Sequence, residues 1–370
     1  MTTGRLGLII NPIAGMGGRV GLHGTDGESA SEALARGAAP VAELRAARTL
    51  TALRASVSKG DIDVVAAGGR MGSAVLSELA IPHTVVHQVA DTTSAADTRA
   101  AVEAMASHGV DLLLVVGGDG TMRDVAAVAP ARRIATLGVP AGVKMHSSVF
   151  ATSPEVAAEV TLQFLNARTP QRLHHGEVVD NDSGGPELFA VLQVPAAGTA
   201  IQSAKSVSRK TSDDSELLGL AREVVEEMEV DRLYLVGPGS TVDHLCTVLG
   251  LRGTLMGVDA IVNGSMVARD LNERQILDLV TEYDKITLII GVVGGQGFLL
   301  GRGNQQLSAR VMNLIGAENT IVLAARTKLA GLDPAVLRID VGDRSPHHPL
   351  RGYQRIRVAR GESTVLRIVV

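Results

Sequence analysis

The stretch Leu112–Asp124, LLLVVGGDGTMRD, constrains the fold more than any other part of the chain. Its apolar run, Leu112 to Val116, reads as a strand buried on both faces, the pattern of a parallel sheet. The strand ends in Gly117-Gly118-Asp119-Gly120-Thr121, and Met122–Val128 reads as a helix start. A strand, a tight glycine turn and a helix N-terminus together cradle phosphate. Glycine lets backbone approach an anion closely, and the helix end offers free N–H groups. Asp119 is the odd residue in such a cradle. A carboxylate among phosphate-binding amides repels the ligand unless it holds a metal or takes a proton. The combination points to chemistry at a phosphate.

The same transition recurs along the chain. Apolar strands run into glycine-rich turns at Asn11, Ala67, Val116, Val236 and Val293, with no fixed period. Before about residue 165, Arg5–Asn11, Asp63–Ala67, Thr84–Gln88 and Arg133–Gly138 read as strands. Ser29–Arg36, Val41–Ser56, Met71–Leu79 and Ser94–Ser107 read as helices between them. Ser153 caps one more helix, with Pro154 at its first position. This alternation predicts an α/β fold whose N-terminal part is a doubly wound parallel sheet, with ligands at the carboxyl ends of the strands.

After Arg168-Thr169-Pro170 the pattern changes. Leu173–Val179 and Leu188–Val194 read as strands joined by a turn at Asp180–Pro186. Ala197–Asp214 reads as a polar, basic loop carrying Lys205, Arg209 and Lys210. Ser215–Glu229 and Asn272–Tyr283 read as helices, and Asp231–Val236, Lys285–Val293 and Thr320–Ala325 as strands. The tail, Tyr353–Val370, reads as a hairpin turning at Arg360-Gly361-Glu362. The expected division is residues 1–168 and residues 169–370, the second a mixed α/β domain with β-rich segments.

Composition excludes several functions. A chain of 370 residues with 45% hydrophobic content supports two domains with substantial cores. Aromatics are 2% with no Trp, which leaves no stacking platform for nucleic acid. The net charge of −4 gives no general attraction to DNA or anionic membrane. A single cysteine, Cys246, rules out an intrachain disulfide and fits a reducing cytoplasm. The start MTTGRLGLIINP has too short an apolar run for a signal peptide, and no run is long enough for a membrane span. The expected partners are a small-molecule substrate and further copies of this chain, with neither nucleic acid nor membrane.

Two common nucleotide templates fail. A P-loop needs Lys and a hydroxyl residue after its second glycine, and no segment supplies them. A dinucleotide fingerprint needs an acid closing the second strand, which here ends at Ala67-Gly68. GGDGT after an apolar strand instead resembles the signature of the NAD kinase, diacylglycerol kinase and phosphofructokinase superfamily. Asn11–Gly18 (NPIAGMGG) resembles the first-strand motif of that group. With Gly138–Ser147 (GVPAGVKMHS), Val236–Thr241 (VGPGST) and Gly294–Val311 (GGQGFLLGRGNQQLSARV), nearly the whole chain resembles the ATP-NAD kinase family. Within it, the resemblance is to the branch named after the acetoin-catabolism protein X.

This resemblance implies a cytoplasmic kinase that uses ATP and Mg²⁺, with NAD as the acceptor. Asp119 would orient or deprotonate the attacking hydroxyl. Gly117, Gly118, Gly120 and Thr121 would cradle phosphate, and Asn11, Gly15, Gly17 and Gly18 would cover the nucleotide. Lys144 would neutralise the transferring phosphate. Gly239, Ser240 and Thr241 resemble an element facing nucleotide or acceptor. Asp259 stands where branch members carry a strand-end acid, suited to a ribose hydroxyl or a metal. No residue is assigned as a metal ligand.

Plainer readings compete for several of these residues. Asp119 also suits a helix N-cap, Lys144 a solvated surface position, Gly239–Thr241 a capped helix start, and Asp259 a turn. The pairs His174-His175 and His347-His348 lack further ligands at metal spacing and read as surface or turn residues. Cys246 reads as a small buried apolar residue. The Asn–acid pair that holds the nicotinamide ribose in NAD kinases has no clean equivalent: Asn263 precedes Gly264, and Asn272-Glu273 reads as a helix start. Another small hydroxyl acceptor, polyphosphate as donor, and a non-catalytic nucleotide-binding regulator stay open.

Overall fold

A computed structural model of the chain describes residues 4–22, 28–143, 145–166, 172–182, 185–197, 200–201, 213–293, 297–332, 334–341 and 347–370. The chain forms two compact units. One comprises Met1–Met16, Gly24–Ala30 and Ala39–Ala204; the other comprises Gly17–His23, Ser31–Ala38 and Lys205–Val370. The expected division after residue 168 thus falls inside the first unit.

Up to residue 197 the elements are β1 (Gly4–Ile10), α1 (Glu28–Ala35), α2 (Ala42–Ser58), β2 (Ile62–Ala67), α3 (Ser73–Glu78), β3 (Thr84–His87), α4 (Ala95–Ser107), β4 (Leu112–Gly117), α5 (Asp119–Ala126), α6 (Ala129–Arg132), β5 (Ala135–Pro140), α7 (Pro154–Leu165), β6 (Leu173–Asp182) and β7 (Gly185–Pro195). The first five strands form one sheet in the order β3-β2-β1-β4-β5. Every pairing in it is parallel. Both β4 and β5 are buried along their whole length, which explains their unbroken apolar sequence. The helix expected over Met71–Leu79 is shorter: a 3₁₀ turn at Gly69–Met71 precedes α3. Between them Gly72 bridges to Ala67 at the end of β2.

The β6–β7 hairpin joins this unit for a packing reason. Val178, Leu192 and Val194 are buried in the same core as the parallel sheet. Backbone seams add to that. Ser147 Oγ accepts from the Val179 N–H at 3.0 Å, and Ser148 Oγ from the Glu177 N–H at 2.8 Å. The two strands also run through the turn expected at Asp180–Pro186, pairing as far as Asp182 with Gly185.

The second unit contains α8 (Asp213–Glu226), β8 (Leu233–Val236), α9 (Ser240–Val248), β9 (Asp259–Val262), β10 (Ser265–Ala268), α10 (Glu273–Glu282), β11 (Ile286–Gly291), β12 (Phe298–Leu300), α11 (Ala309–Ile315), β13 (Thr320–Leu323), α12 (Arg326–Ala330), β14 (Val336–Ile339), β15 (Gly352–Ala359) and β16 (Glu362–Val369). Its nine strands form one mixed sheet, β10-β9-β8-β11-β13-β15-β16-β14-β12. The terminal hairpin, β15–β16, lies in the middle of this sheet. It pairs in parallel with β13 on one side and β14 on the other. Strands β9, β10, β12 and β14 have three or four residues each, too short to show a period in sequence.

A buried ion pair anchors the far end of that sheet. Arg302 meets Asp340 at 2.8 Å, with side chains 2% and 7% exposed. The Arg302 guanidinium lies 4.3 Å from the Phe298 ring centre. Gly301 has φ +94°, and a Cβ there would fall 2.0 Å from the Asp340 carbonyl oxygen. Asn304 closes the turn, accepting from the Gly301 N–H at 2.7 Å and donating to the Leu299 carbonyl at 2.9 Å.

Two stability changes follow. A methyl at Gly138 in β5 would meet the Phe150 ring at 2.3 Å and Met122 Cε at 2.6 Å. Gly138→Ala is therefore expected to lower unfolding free energy by about 1–3 kcal/mol. Asp340→Ala removes the buried counter-charge of Arg302 and is expected to cost about 3–5 kcal/mol. Denaturant unfolding of the two variants measures both. A loss below 0.5 kcal/mol, an order-of-magnitude threshold for surface changes, would contradict the packing described.

Candidate functional site

In the first unit the strand order reverses between β1 and β4. The chain fills β2 and β3 on one side of β1, then returns to place β4 and β5 on the other. At such a switch point the loops leaving the carboxyl ends of neighbouring strands part in opposite directions, and it is there that open parallel sheets bind ligands. Asn11 follows β1, and Gly117–Thr121 spans the junction of β4 and α5.

These two segments are stitched together. The Asn11 N–H donates to the Val116 carbonyl at 2.9 Å. The Asn11 side-chain amide donates to Thr121 Oγ1 at 2.9 Å. Asn11 Oδ1 accepts from the Ile13 N–H at 3.3 Å, turning the glycine loop back on itself. The β5 end joins the same knot, since the Gly117 carbonyl accepts from the Ala141 and Gly142 N–H groups at 2.9 and 3.1 Å. Gly15 has φ +78°, and a Cβ there would lie 1.9 Å from the Ala141 carbonyl oxygen. Gly118 and Gly142 touch through their backbones: a Cβ on Gly118 would lie 3.0 Å from Gly142 Cα.

Asp119 is the first residue of α5, and Gly118 occupies the N-cap position. The carboxylate therefore does not cap its own helix. Its Oδ2 accepts from the His146 N–H at 2.6 Å and its Oδ1 from the Ser147 N–H at 3.1 Å. Two N–H donors, one on each oxygen, fix the plane of the carboxylate. The first turn of a helix also favours negative charge. Asp119 is half-buried, whereas Thr121 beside it is 5% exposed. The amides of His146 and Ser147 carry no signal in sequence, because any residue supplies an N–H.

The remaining expected positions lie as follows. Asn11, Gly15, Gly117, Gly118, Asp119, Gly120 and Thr121 come together in the first unit. Gly17 and Gly18 belong to the second, where Gly18 packs against the side chain of Gln305. Lys144, Lys205, Arg209, Lys210 and Gly294–Gln296 lie outside the described residues.

Gly239, Ser240 and Thr241 lie in the second unit, where β8 turns into α9, with Gly239 at φ +114°. Thr241 Oγ1 accepts from Lys328 Nζ at 2.7 Å. Lys328, on α12, had no mark in the sequence that set it apart. Asp259 opens β9 and is 2% exposed. Its oxygens accept from the Thr254 N–H and, at 2.9 Å, from the Asp270 N–H. Both asparagines weighed as ribose ligands serve the backbone. Asn272 caps α10, accepting from the Gln275 N–H at 3.0 Å, and Asn263 has φ +51° and accepts from the Asp231 N–H at 2.8 Å.

Among the described residues no group of three His, Cys, Asp or Glu side chains could hold a metal ion. His348 is 3% exposed within a turn, its carbonyl accepting from the Arg351 N–H at 2.9 Å, so of the surface or turn reading the turn holds there and the surface does not. Burial lowers the imidazole pKa of both His174 and His348. Cys246 is 2% exposed on α9, against Gly253. Burial pushes its thiol up to about 11, and the Asp259 and Asp243 carboxylates add to the effect. Among the described residues no helix is long and apolar enough to cross a membrane.

A family model described as the ATP-NAD kinase N-terminal domain matches residues 6–169. A second, described as the ATP-NAD kinase C-terminal domain, matches residues 230–368. No curated protein and no solved structure matches the chain.

The Cys246 thiol sets a pH-dependent outcome. The thiolate is the reactive form, so a raised pKa suppresses alkylation at neutral pH. Iodoacetamide labelling of the folded protein is expected to accelerate about tenfold per pH unit from pH 8 upward, levelling only near 11. A plateau near pH 9 would show an ordinary exposed thiol.

Proposed function

The chain belongs to the ATP-NAD kinase family, and from that membership we propose that it transfers the γ-phosphate of ATP to the 2′-hydroxyl of NAD. The observation that carries this reading is the fixed Asp119 carboxylate at the switch point of the first sheet. Phosphoryl transfer needs positioning and charge neutralisation more than covalent help. Asp119 accepts the proton of the attacking hydroxyl, or orients that hydroxyl in line with the phosphate. The glycines at 117, 118 and 120 let the phosphates approach backbone, and the α5 N-terminus offers its amides. Asn11 holds Thr121 in place for this.

Mg²⁺ fits this donor set. It is commonly bound by one or two carboxylates together with substrate phosphates. Asp119 supplies one carboxylate and the nucleotide the phosphates, so no dedicated protein cage is required. When bound, the ion would draw charge from the γ-phosphate; Asp119 would either act through it as a ligand or, unligated, orient or deprotonate the hydroxyl.

A second acceptor reading has its own support. Asn263 and Asn272 are committed to a turn and a helix cap, and Asp259 to two backbone amides. An Asn–acid pair for the nicotinamide ribose is not among these contacts. Another small hydroxyl compound is the alternative acceptor, consistent with the proposed place in the acetoin-catabolism branch. That placement rests on Gly138–Ser147, Val236–Thr241 and Gly294–Val311. A cytoplasmic setting is proposed with it, on the single reduced Cys246, together with self-association of the chain.

The test is a mass-spectrometric screen for phosphorylated product with ATP, Mg²⁺ and NAD, followed by a panel of small alcohols. Asp119→Asn is expected to lower transfer by about 10²–10⁴-fold while ATP still binds. Transfer at the wild-type rate by this variant would remove Asp119 from the chemistry. Absence of any product from wild-type protein across the panel would overturn the kinase reading.

A further inference from the structure

The second unit contains a cavity of about 540 Å³, lined by Arg19, Glu273, Arg274, Leu277, Asp278, Ser308, Ala309 and Arg310. Its volume lies within the roughly 300–1,000 Å³ typical of small-molecule sites. It shares no lining residue with the Asn11–Thr121 constellation. All its walls come from the second unit: the Gly17–His23 segment, α10, and the start of α11.

Sequence and local geometry explain how three exposed arginines come to line it. The Glu273 N–H donates to the Arg19 carbonyl at 3.1 Å, pinning the Arg19 backbone to the start of α10. Gly21, at φ +77°, passes close to Asn272, where a Cβ would lie 3.5 Å from Asn272 Cβ. Arg274, Leu277 and Asp278 share one face of α10 by their three- and four-residue spacing. Arg310 follows Ser308, whose hydroxyl caps α11.

Among the described residues none of the three guanidiniums makes an ion pair or a side-chain hydrogen bond. Arg274 and Asp278 stand four apart, a spacing suited to pairing, yet they form no pair. Elsewhere in this unit arginines are spent on carboxylates: Arg326 on Glu362, Arg357 on Glu227, Arg360 on Glu226.

We propose that this cavity binds the phosphate group of a small phosphorylated metabolite. Three planar forks suit an anion with several oxygens in a tetrahedral array, since each guanidinium pairs two oxygens at once. Three guanidiniums against the Glu273 and Asp278 carboxylates leave a net positive charge, which matches an anion. Leu277 and Ala309 give a carbon skeleton an apolar wall, and the two carboxylates accept hydroxyl groups on it. The proposal stands apart from the kinase reading, because it uses none of the residues of that site.

Isothermal titration of the full-length protein tests it with two probes, glycerol 3-phosphate for monoesters and pyrophosphate for nucleotide-like polyphosphates. Saturable binding of either probe is expected, and the stronger one identifies the source. The Arg274→Ala/Arg310→Ala double variant is expected to weaken it by about tenfold or more, as charge-assisted hydrogen bonds predict. Asn11→Ala is expected to leave it intact. Glu273→Gln/Asp278→Asn is expected to tighten pyrophosphate, which carries no alcohol hydroxyl for those carboxylates, a gain that misfolding cannot imitate. Wild-type affinity in the double arginine variant would overturn the proposal. So would loss of binding in Asn11→Ala alone, which would put the anion at the GGDGT turn, or no saturable binding of either probe.

Discussion

Gly118 and Gly142 meet backbone to backbone at the ends of β4 and β5, and the site depends on that contact. No side chain fits between them: a Cβ on Gly142 would come 2.7 Å from Gly118 Cα. The approach lets the Gly117 carbonyl take two N–H groups from the β5 end. The chain beyond β5 then comes back over α5 and presents the His146 and Ser147 amides to Asp119. Hydrogen bonds to a charged acceptor contribute about 1.5–3 kcal/mol each. The carboxylate is thus a fastener of the fold as well as the group placed for chemistry.

The second unit uses carboxylates as fasteners too, and the comparison separates structural from chemical roles. Asp259 and Asp119 each accept from two backbone amides. Asp259 is 2% exposed at the start of β9, while Asp119 is half-buried at the carboxyl edge of a parallel sheet. Partial exposure at a switch point permits contact with a ligand; enclosure does not. The Arg302–Asp340 pair is the extreme case, sealed under the Phe298 ring and two closely approaching backbones.

Much of this architecture could be read from residue order. The parallel strands announced themselves because burial on both faces demands unbroken apolar runs, as in Leu112–Val116. Ser153 marked a helix start through capping chemistry that acts within three residues, and the helix starts read at Ser94 and Asn272 carry capping boxes in the structure. The short strands β9, β10, β12 and β14 left no such mark. His348 looked like a turn residue and is enclosed, because nothing local distinguishes a covered turn from an open one.

The sequence by itself determined the alternating layers of the first unit, the GGDGT turn and the terminal hairpin. Each of these is set by residues within a few positions of one another. Only the tertiary structure decided that the β6–β7 hairpin joins the first core and that β15–β16 lies mid-sheet. It alone placed the His146 and Ser147 amides on Asp119, Lys328 on Thr241, and three arginines around one cavity. Those outcomes join segments far apart in the chain through backbone groups and packing surfaces that every residue shares. Their choice depends on which distant surfaces bury the most apolar area together, and no local pattern encodes that.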